Sequence, residues 1–415
     1  MKKLLQINPV LRTSTSTAKI MQEIGELAMQ NGWESYIAYS KGRDGIRECT
    51  SKIVPVGSKA SVAWHGVMTR IFDRHGLASS QATRKFIKEI ERISPDVIHI
   101  HNIHGYFLNY QILFDFLSAS GIPVVWTVHD CWLYTGHCYH YTFAGCDKWK
   151  NGCGACPQKR LFPSSILFDR SAQNFKDKQK AFCTMPADKL TIVTVSNWMK
   201  GEMESSFLRN YNYQVIHNGI NTNIFTPADK AKKESIRDLY GLGDKTVIMG
   251  IASIWSTEKG LDDFSKMSQM LKDNEVIVLV GVSAELKKRL PTNIIGISRT
   301  ENASQLAQLY SASDVFANPT WQDNYPTVNL EAISCGTPVV TYRTGGSIES
   351  ITEETGKIVD KGDAQAMLAA ARELAAEGKD HHEASCRDFS LKHFRKEDRY
   401  KDYLDLYERL ITSRR

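Results

Sequence analysis

The chain has 415 residues, more than one hydrophobic core usually serves, so two domains are expected. Hydrophobic residues make up 42% and charged residues 24%, which excludes a disordered or fibrous chain. A formal net charge of +6 admits an anionic substrate, or at most loose attraction to an anionic membrane surface, and falls short of a nucleic-acid-binding signature.

Met1-Lys2-Lys3 leads only into a short strand-like run ending at Asn8-Pro9, which does not read as a signal peptide, and no apolar run reaches the length of a membrane span. A cytoplasmic protein is expected, at most peripheral at the inner face of the plasma membrane. Apolar runs predict strands at Lys3–Ile7, Ser35–Tyr39, Val97–Ile100, Pro123–Val128 and Leu190–Val195. A second series is expected at Tyr213–Ile216, Thr246–Ile251, Val276–Val280, Asp314–Ala317 and Pro338–Tyr342. Helical stretches alternate with both series, the pattern of parallel sheets with crossover helices. The series meet in a loop-like stretch, Val215 to Pro227, which predicts an N-terminal Rossmann-like domain over 1–214 and a second over 215–390. Neither first strand is followed by GxGxxG, which argues against a dinucleotide-dependent oxidoreductase. The last stretch, from Phe394 to Ile411, has helical spacing in Tyr400, Tyr403, Leu404, Tyr407 and Leu410.

Asp323 to Gly346 carries the densest signal. Pro326 suits a helix start, and Val328, Leu330 and Ile333 follow at roughly helical spacing. Gly336 suits the helix end, Pro338 opens a strand, and Gly345-Gly346 closes it. Asp323 and Glu331 bracket the helix start, where backbone N–H groups and the helix dipole favour a pyrophosphate and a carboxylate suits sugar hydroxyls. Two solvated acids on an ordinary helix would give the same spacing; the proline and the glycine pair in register favour a site. Upstream, Gly250 to Leu261 leaves a buried strand and enters a helix at Lys259-Gly260, where a lysine reaches a phosphate or merely occupies a helix start. In the first half, His101, Asn102 and His129-Asp130 end strands, where such sheets hold ligands. Ser196 reads equally as a helix cap or a substrate contact. The hydroxyls of Arg12 to Thr17 either bind phosphate or acceptor, or cap the helix Ala18–Gln30.

Five of nine cysteines lie between Cys131 and Cys156. Cys138, Cys146, Cys153 and Cys156 have spacing that suits a tetrahedral zinc site, with His137 or His140 able to replace a thiolate. An iron–sulfur cluster and free thiols remain open, whereas disulfides are disfavoured in a reducing cytosol. The segment is poor in aliphatic residues and is expected to have little core of its own.

An acidic residue, seven others, then Glu331 resembles the donor signature of retaining family 4 glycosyltransferases of the GT-B fold, with Asp323 standing where Glu is usual. HDxWxxTGxC from His129, GCxxWxxGCxxCP from Gly145 and DNYPxxNLEA from Asp323 resemble the colanic-acid, polysaccharide-biosynthesis branch. The resemblance implies an α/β GT-B fold, two doubly wound Rossmann-like domains facing a cleft, with a cysteine-rich insert at 131–160 and a final helix, 391–415, crossing back onto the N-terminal domain. It implies transfer of a hexose from a UDP- or GDP-linked donor to a glycan, a lipid-linked oligosaccharide in exopolysaccharide, capsule or O-antigen synthesis. Lys259 would face the leaving phosphate, with no catalytic Mg²⁺ required. Glu331 would hold the ribose, Asp323 the hexose, and His129 would lie against the transferred sugar. Asn324, Tyr325, Pro326 and Thr327 would contribute the anion-binding turn. The arginine that relatives place about five residues before this lysine is absent, leaving Arg299 as the candidate second cation; its loop, Gly296 to Thr300, is where relatives contact the base. Rival readings are a sugar-nucleotide epimerase of the same fold, a phosphorylase, and a non-catalytic sugar-binding protein. No clear pyridoxal-phosphate lysine supports the phosphorylase, and the Lys259, Asp323 and Glu331 pattern disfavours the binding protein.

Overall fold

A computed structural model describes residues 1–12, 16–42 and 49–412. It divides into two compact units, residues 1–216 with the chain from Tyr400 onward, and His217–Arg399.

The first unit is built on seven parallel strands: β1 (Lys3–Ile7), β2 (Glu34–Tyr39), β3 (Lys52–Pro55), β4 (Val97–Ile100), β5 (Val124–Val128), β6 (Leu190–Thr194) and β7 (Asn212–Val215). Their order is β3-β2-β1-β4-β5-β6-β7. β4, β5 and β6 are buried throughout, as strands covered on both faces should be. The strand expected at Tyr213–Ile216 is β7, and it belongs here rather than to the second series: Ile192 pairs with Tyr213 and Thr194 with Val215. Apolar spacing marks a strand but not its neighbour, which is why the sequence misplaced it. The final helix, Lys396–Thr412, lays Tyr403 and Tyr407 on this sheet. The Tyr407 hydroxyl lies 2.6 Å from His99 Nδ1, and Thr127 donates to the Tyr403 hydroxyl at 3.2 Å.

The cysteine-bearing segment is better packed than its aliphatic content implies. Trp149 is fully buried, with its ring 4.9 Å from Tyr134 and 5.1 Å from Tyr141, and all three join the main core of the unit. Aromatic burial replaces the missing aliphatics, which corrects the expectation of little core.

The second unit has six parallel strands, β8 (Thr246–Ile251), β9 (Glu275–Val280), β10 (Ile294–Ile297), β11 (Val315–Asn318), β12 (Val339–Tyr342) and β13 (Gly356–Val359), in the order β10-β9-β8-β11-β12-β13. From β8 the chain winds one way to β10, then returns to start the other way at β11. The loops after β8 and β11 therefore diverge, and the crevice opened at this switch point is where such sheets bind ligands.

Candidate active site

The two diverging loops of the second unit hold the sequence-predicted lysine and acids. After β8 the chain makes a tight turn, Thr257–Lys259, and Gly260 at φ +77° before the helix Leu261–Ser268. Any Cβ on Gly260 would lie 2.4 Å from the carbonyl oxygen of Pro319, so only glycine lets the two loops meet. Trp321 N–H and the Gln322 amide then donate to the backbone and side chain of Glu258 at 2.9 and 3.0 Å. At the open end, Lys259 Nζ donates to Asp323 Oδ2 at 3.0 Å, with the lysine side chain 43% and the carboxylate 23% exposed. The structure thus brings Lys259 and Asp323 into direct contact.

Pro326 precedes the helix Thr327–Ser334 and supplies no side-chain cap, so the first N–H groups are not used up by a capping side chain. Within the helix, Asn329 is buried and accepts from Asn318 at 2.8 Å while its own amide faces Ser347 and Ser350 at 3.3 Å. That clamp ties the helix start to the end of β11. Glu331, half-buried, accepts from the Tyr310 hydroxyl at 3.2 Å. Tyr325 is buried and lies flat against His217, ring centroids 4.7 Å apart at 6°. Burial pushes its phenol pKa up. A ligand at this turn would meet the backbone of Asn324, Tyr325 and Pro326, all buried, rather than the tyrosine ring. Arg299 is exposed in the loop after β10, two strand spacings from β8, roughly 10 Å, and is not brought against Lys259 by any described contact. The Asn329 clamp and the His217–Tyr325 stack were missed in the sequence, because both join residues distant in the chain.

In the first unit, β1 and β4 form the equivalent switch point. His101 Nε2 lies 3.0 Å from Gln6 Oε1, and its Nδ1 lies 3.1 Å from His129 Nε2. His104 Nε2 lies 2.7 Å from Asp130 Oδ2, and Asp130 also accepts from Trp132 N–H. Burial opposes ionisation of Asp130, but His104 and these hydrogen bonds hold its pKa at about 2. His101, His104, His129 and Asp130 line one small cavity at the strand ends. Ser196 caps the helix Asn197–Glu204, accepting from Met199 N–H at 3.1 Å, so the capping role is the one its geometry fulfils. Of the Arg12 to Thr17 stretch, Thr13, Ser14 and Thr15 lie outside the described residues.

Removal from water lowers the pKa of His129 to about 4 and of His65 to about 3, and carries His75, His99 and His101 well below 6.5. Each is neutral when folded but takes a proton near pH 6.5 when unfolded, so the unfolded chain binds more protons as pH falls through this window. The contribution of these five histidines to stability is therefore full above about pH 7 and lost progressively as pH falls from about 6.5 toward 4. The Tm should drop clearly between pH 7.5 and pH 5; a Tm unchanged over that interval contradicts these assignments.

Cys138, Cys146, Cys153 and Cys156 line a single cavity of about 20 Å³ together with His137. The Cys138 and Cys156 thiols hydrogen-bond each other, and Gly136 N–H donates to Cys153 Sγ at 3.1 Å. His137 is buried, its Nδ1 held 2.8 Å from Asp73 Oδ1, and its Nε2 has no hydrogen-bond partner among the described residues. His140 lies instead beside Cys131, 4.0 Å from its sulfur. Among the described residues, three or more metal-type ligand atoms come within 4.8 Å of one another at Glu377, His381 and His382; the cysteine sulfurs are not drawn in that tightly.

Residues 19–224 match the model of Glycosyltransferase Family 4, and residues 245–377 that of Glycosyl transferases group 1. The chain is 24% identical to a putative colanic acid biosynthesis glycosyl transferase, WcaC, of Escherichia coli, over 86% of this chain and 87% of that one. It is 26% identical to a GDP-mannose-dependent phosphatidylinositol monomannoside mannosyltransferase of Mycolicibacterium smegmatis, over 46% of this chain and 54% of that one. In fold it resembles sucrose-phosphate synthase from Thermosynechococcus elongatus, at TM-score 0.70 and 15% identity over the whole of both chains. It resembles equally Anabaena HepE in complex with UDP, at TM-score 0.70 and 13% identity over 98% of this chain and 100% of that one. With one glycosyltransferase model on each half and these two-domain structures as neighbours, the chain belongs to the family 4 glycosyltransferases of the GT-B fold.

Proposed function

We propose that this glycosyltransferase moves a hexose from a UDP- or GDP-linked donor to a glycan acceptor carried on a lipid, with retention of anomeric configuration. The observation that carries this reading is the Lys259–Asp323 bridge across the switch-point loops, next to the helix start at Thr327. Without ligand, each charge satisfies the other. A diphosphate entering at the helix N-terminus draws Lys259 to its oxygens and releases Asp323 to the hexose hydroxyls. Glu331, set by Tyr310, takes the ribose hydroxyls. Lys259 and the backbone N–H groups stabilise the charge on the departing nucleotide, so no Mg²⁺ is needed there. Front-face attack, with the donor phosphate accepting the acceptor proton, accounts for retention without an enzyme base. In the first unit we keep His129, neutral at physiological pH, as the candidate contact with substrate. Relatives that use GDP-mannose and a fold neighbour that holds UDP support both donor classes without choosing between them. We place the reaction in the cytoplasm.

The test is a panel of UDP- and GDP-sugars scored by thermal stabilisation, followed by NMR of the product made with the stabilising donor. An inverted anomer overturns the retaining mechanism, and no stabilisation by any nucleotide sugar overturns the donor assignment.

We also read residues 131–160 as an insert that holds one structural zinc on Cys138, Cys146, Cys153 and Cys156. Four thiols on one cavity support this, as does a backbone N–H donated to Cys153 sulfur. His137, already oriented by the Asp73 carboxylate, offers its open Nε2 as an alternate ligand, the arrangement usual behind a metal-bound imidazole. Protein purified without chelator should carry about one zinc per chain by elemental analysis. A metal-free, fully active and fully folded preparation removes the assignment.

A further inference from the structure

Most of the exposed large apolar side chains of the first unit lie on two segments. The helix Lys59–Phe72 turns Trp64, Val67 and Phe72 to solvent, Trp64 being 60% exposed. The run that follows the cysteines exposes Leu161, Phe162, Ile166, Leu167 and Phe168, with Ile166 and Leu167 at 61% and 63%. Backbone hydrogen bonds splice the two segments together: Ile166 N–H donates to Arg70 O at 2.7 Å and Phe168 N–H to Ile71 O at 3.3 Å. The rings of Phe72 and Phe168 stack at 5.7 Å and 11°. Eight large apolar side chains on two spliced segments make a continuous face of a kind soluble monomers rarely leave bare.

The charges around that face are mostly cationic. Lys59 and Arg70 are exposed on the helix, Arg74 and Arg160 are exposed just beside the two segments, and Lys159 is half-exposed. Neither segment contains glutamate. Of the two aspartates that flank them, Asp73 is buried against His137, and Asp169, exposed at the edge of the face, accepts from Cys156 N–H and Ser171. An open groove of about 930 Å³ beside Trp64, lined by Met68, Arg74, Lys85, Phe86, Lys88 and Glu89, adds apolar walls and a further excess of cations.

We propose that this face, the helix Lys59–Phe72 spliced to residues 161–168, docks the enzyme on an anionic lipid bilayer. Bulky apolar side chains seat in the boundary between headgroups and acyl chains, while the arginines and lysines meet lipid phosphates. A second copy of the chain is the poorer occupant, because a two-fold contact would set these cations against their own counterparts. The docking does not depend on the donor or acceptor reading, since it is measured without substrates.

The full chain is sedimented with vesicles of phosphatidylcholine alone and of phosphatidylcholine mixed with phosphatidylglycerol. It should bind the mixed vesicles, weakly or not at all the neutral ones, and be released by salt. The triple variant Trp64→Ser, Ile166→Ser, Leu167→Ser should lose about tenfold or more in binding. Its melting temperature and nucleotide binding should stay at wild-type values, because these side chains are exposed and lie in the other unit from the donor loops. Arg70→Gln with Arg160→Gln should remove the preference for anionic vesicles. Equal binding by wild type and the triple variant overturns the proposal, as does absence of wild-type binding to mixed vesicles. A wild-type dimer that the triple variant converts to monomer identifies the second copy as the occupant and overturns it too.

Discussion

Replacing Lys259 with alanine should lower turnover by about 100-fold or more, while the Michaelis constant for the donor changes little. The lysine sits at the open end of two loops locked by Gly260 and Glu258, so its loss removes a charge without moving the scaffold. In the resting site that charge is already balanced by Asp323 at 3.0 Å, so ground-state donor binding gains only the difference between two anionic partners. As the glycosidic bond breaks, negative charge builds on the leaving phosphate, and the full interaction is realised only then. Lys259→Arg should recover part of the rate, since the charge is kept but the reach differs. A rise in Michaelis constant with unchanged turnover would reduce Lys259 to a ground-state anchor.

Glu331→Ala should weaken donor binding and abolish measurable transfer at ordinary donor concentrations. A charge-assisted hydrogen bond contributes on the order of 1.5–3 kcal/mol, which is roughly ten- to a hundred-fold in affinity. Glu331 lies half-buried on a helix pinned by the Asn329 clamp, and its Tyr310 partner stays in place when the carboxylate is removed. The fold should therefore survive, with a melting temperature near that of wild type. Glu331→Gln keeps the shape and one acceptor oxygen, and should fall between the two. Nucleoside diphosphate affinity near wild type in Glu331→Ala would take the ribose away from this residue.

The strands that the sequence marked correctly are mainly central ones, such as β1, β4, β5, β8 and β9, whose apolar runs are buried on both faces. Those it missed, β3, β10 and β13, are all edge strands of four residues. β3 leaves Lys52, Ile53 and Pro55 exposed, and in β10 Gly296 interrupts a run of only three isoleucines, so both give weak strand signals. β7, assigned to the wrong series, is an edge strand as well, and its half-buried residues say nothing about which sheet they complete. At the candidate site the legible part was local: Lys259-Gly260 after a strand, and Asp323 and Glu331 around one helix start. The Lys259–Asp323 bridge spans 64 residues, the His104–Asp130 pair 26 and the His137–Asp73 pair 64, and only folding reveals such partners. The aromatic packing of Tyr134, Tyr141 and Trp149 was hidden for the same reason, although each aromatic stood in plain view.

The claim on which all of this rests is that a nucleoside diphosphate binds at the switch point of the second sheet. Hydrogen exchange on the full chain, followed by mass spectrometry with and without saturating UDP or GDP, tests it directly. The account predicts slowed exchange in residues 252–262 and 318–331 with one of the two nucleotides. Protection confined to the first unit, with those two loops unchanged by a nucleotide that demonstrably binds, would contradict it.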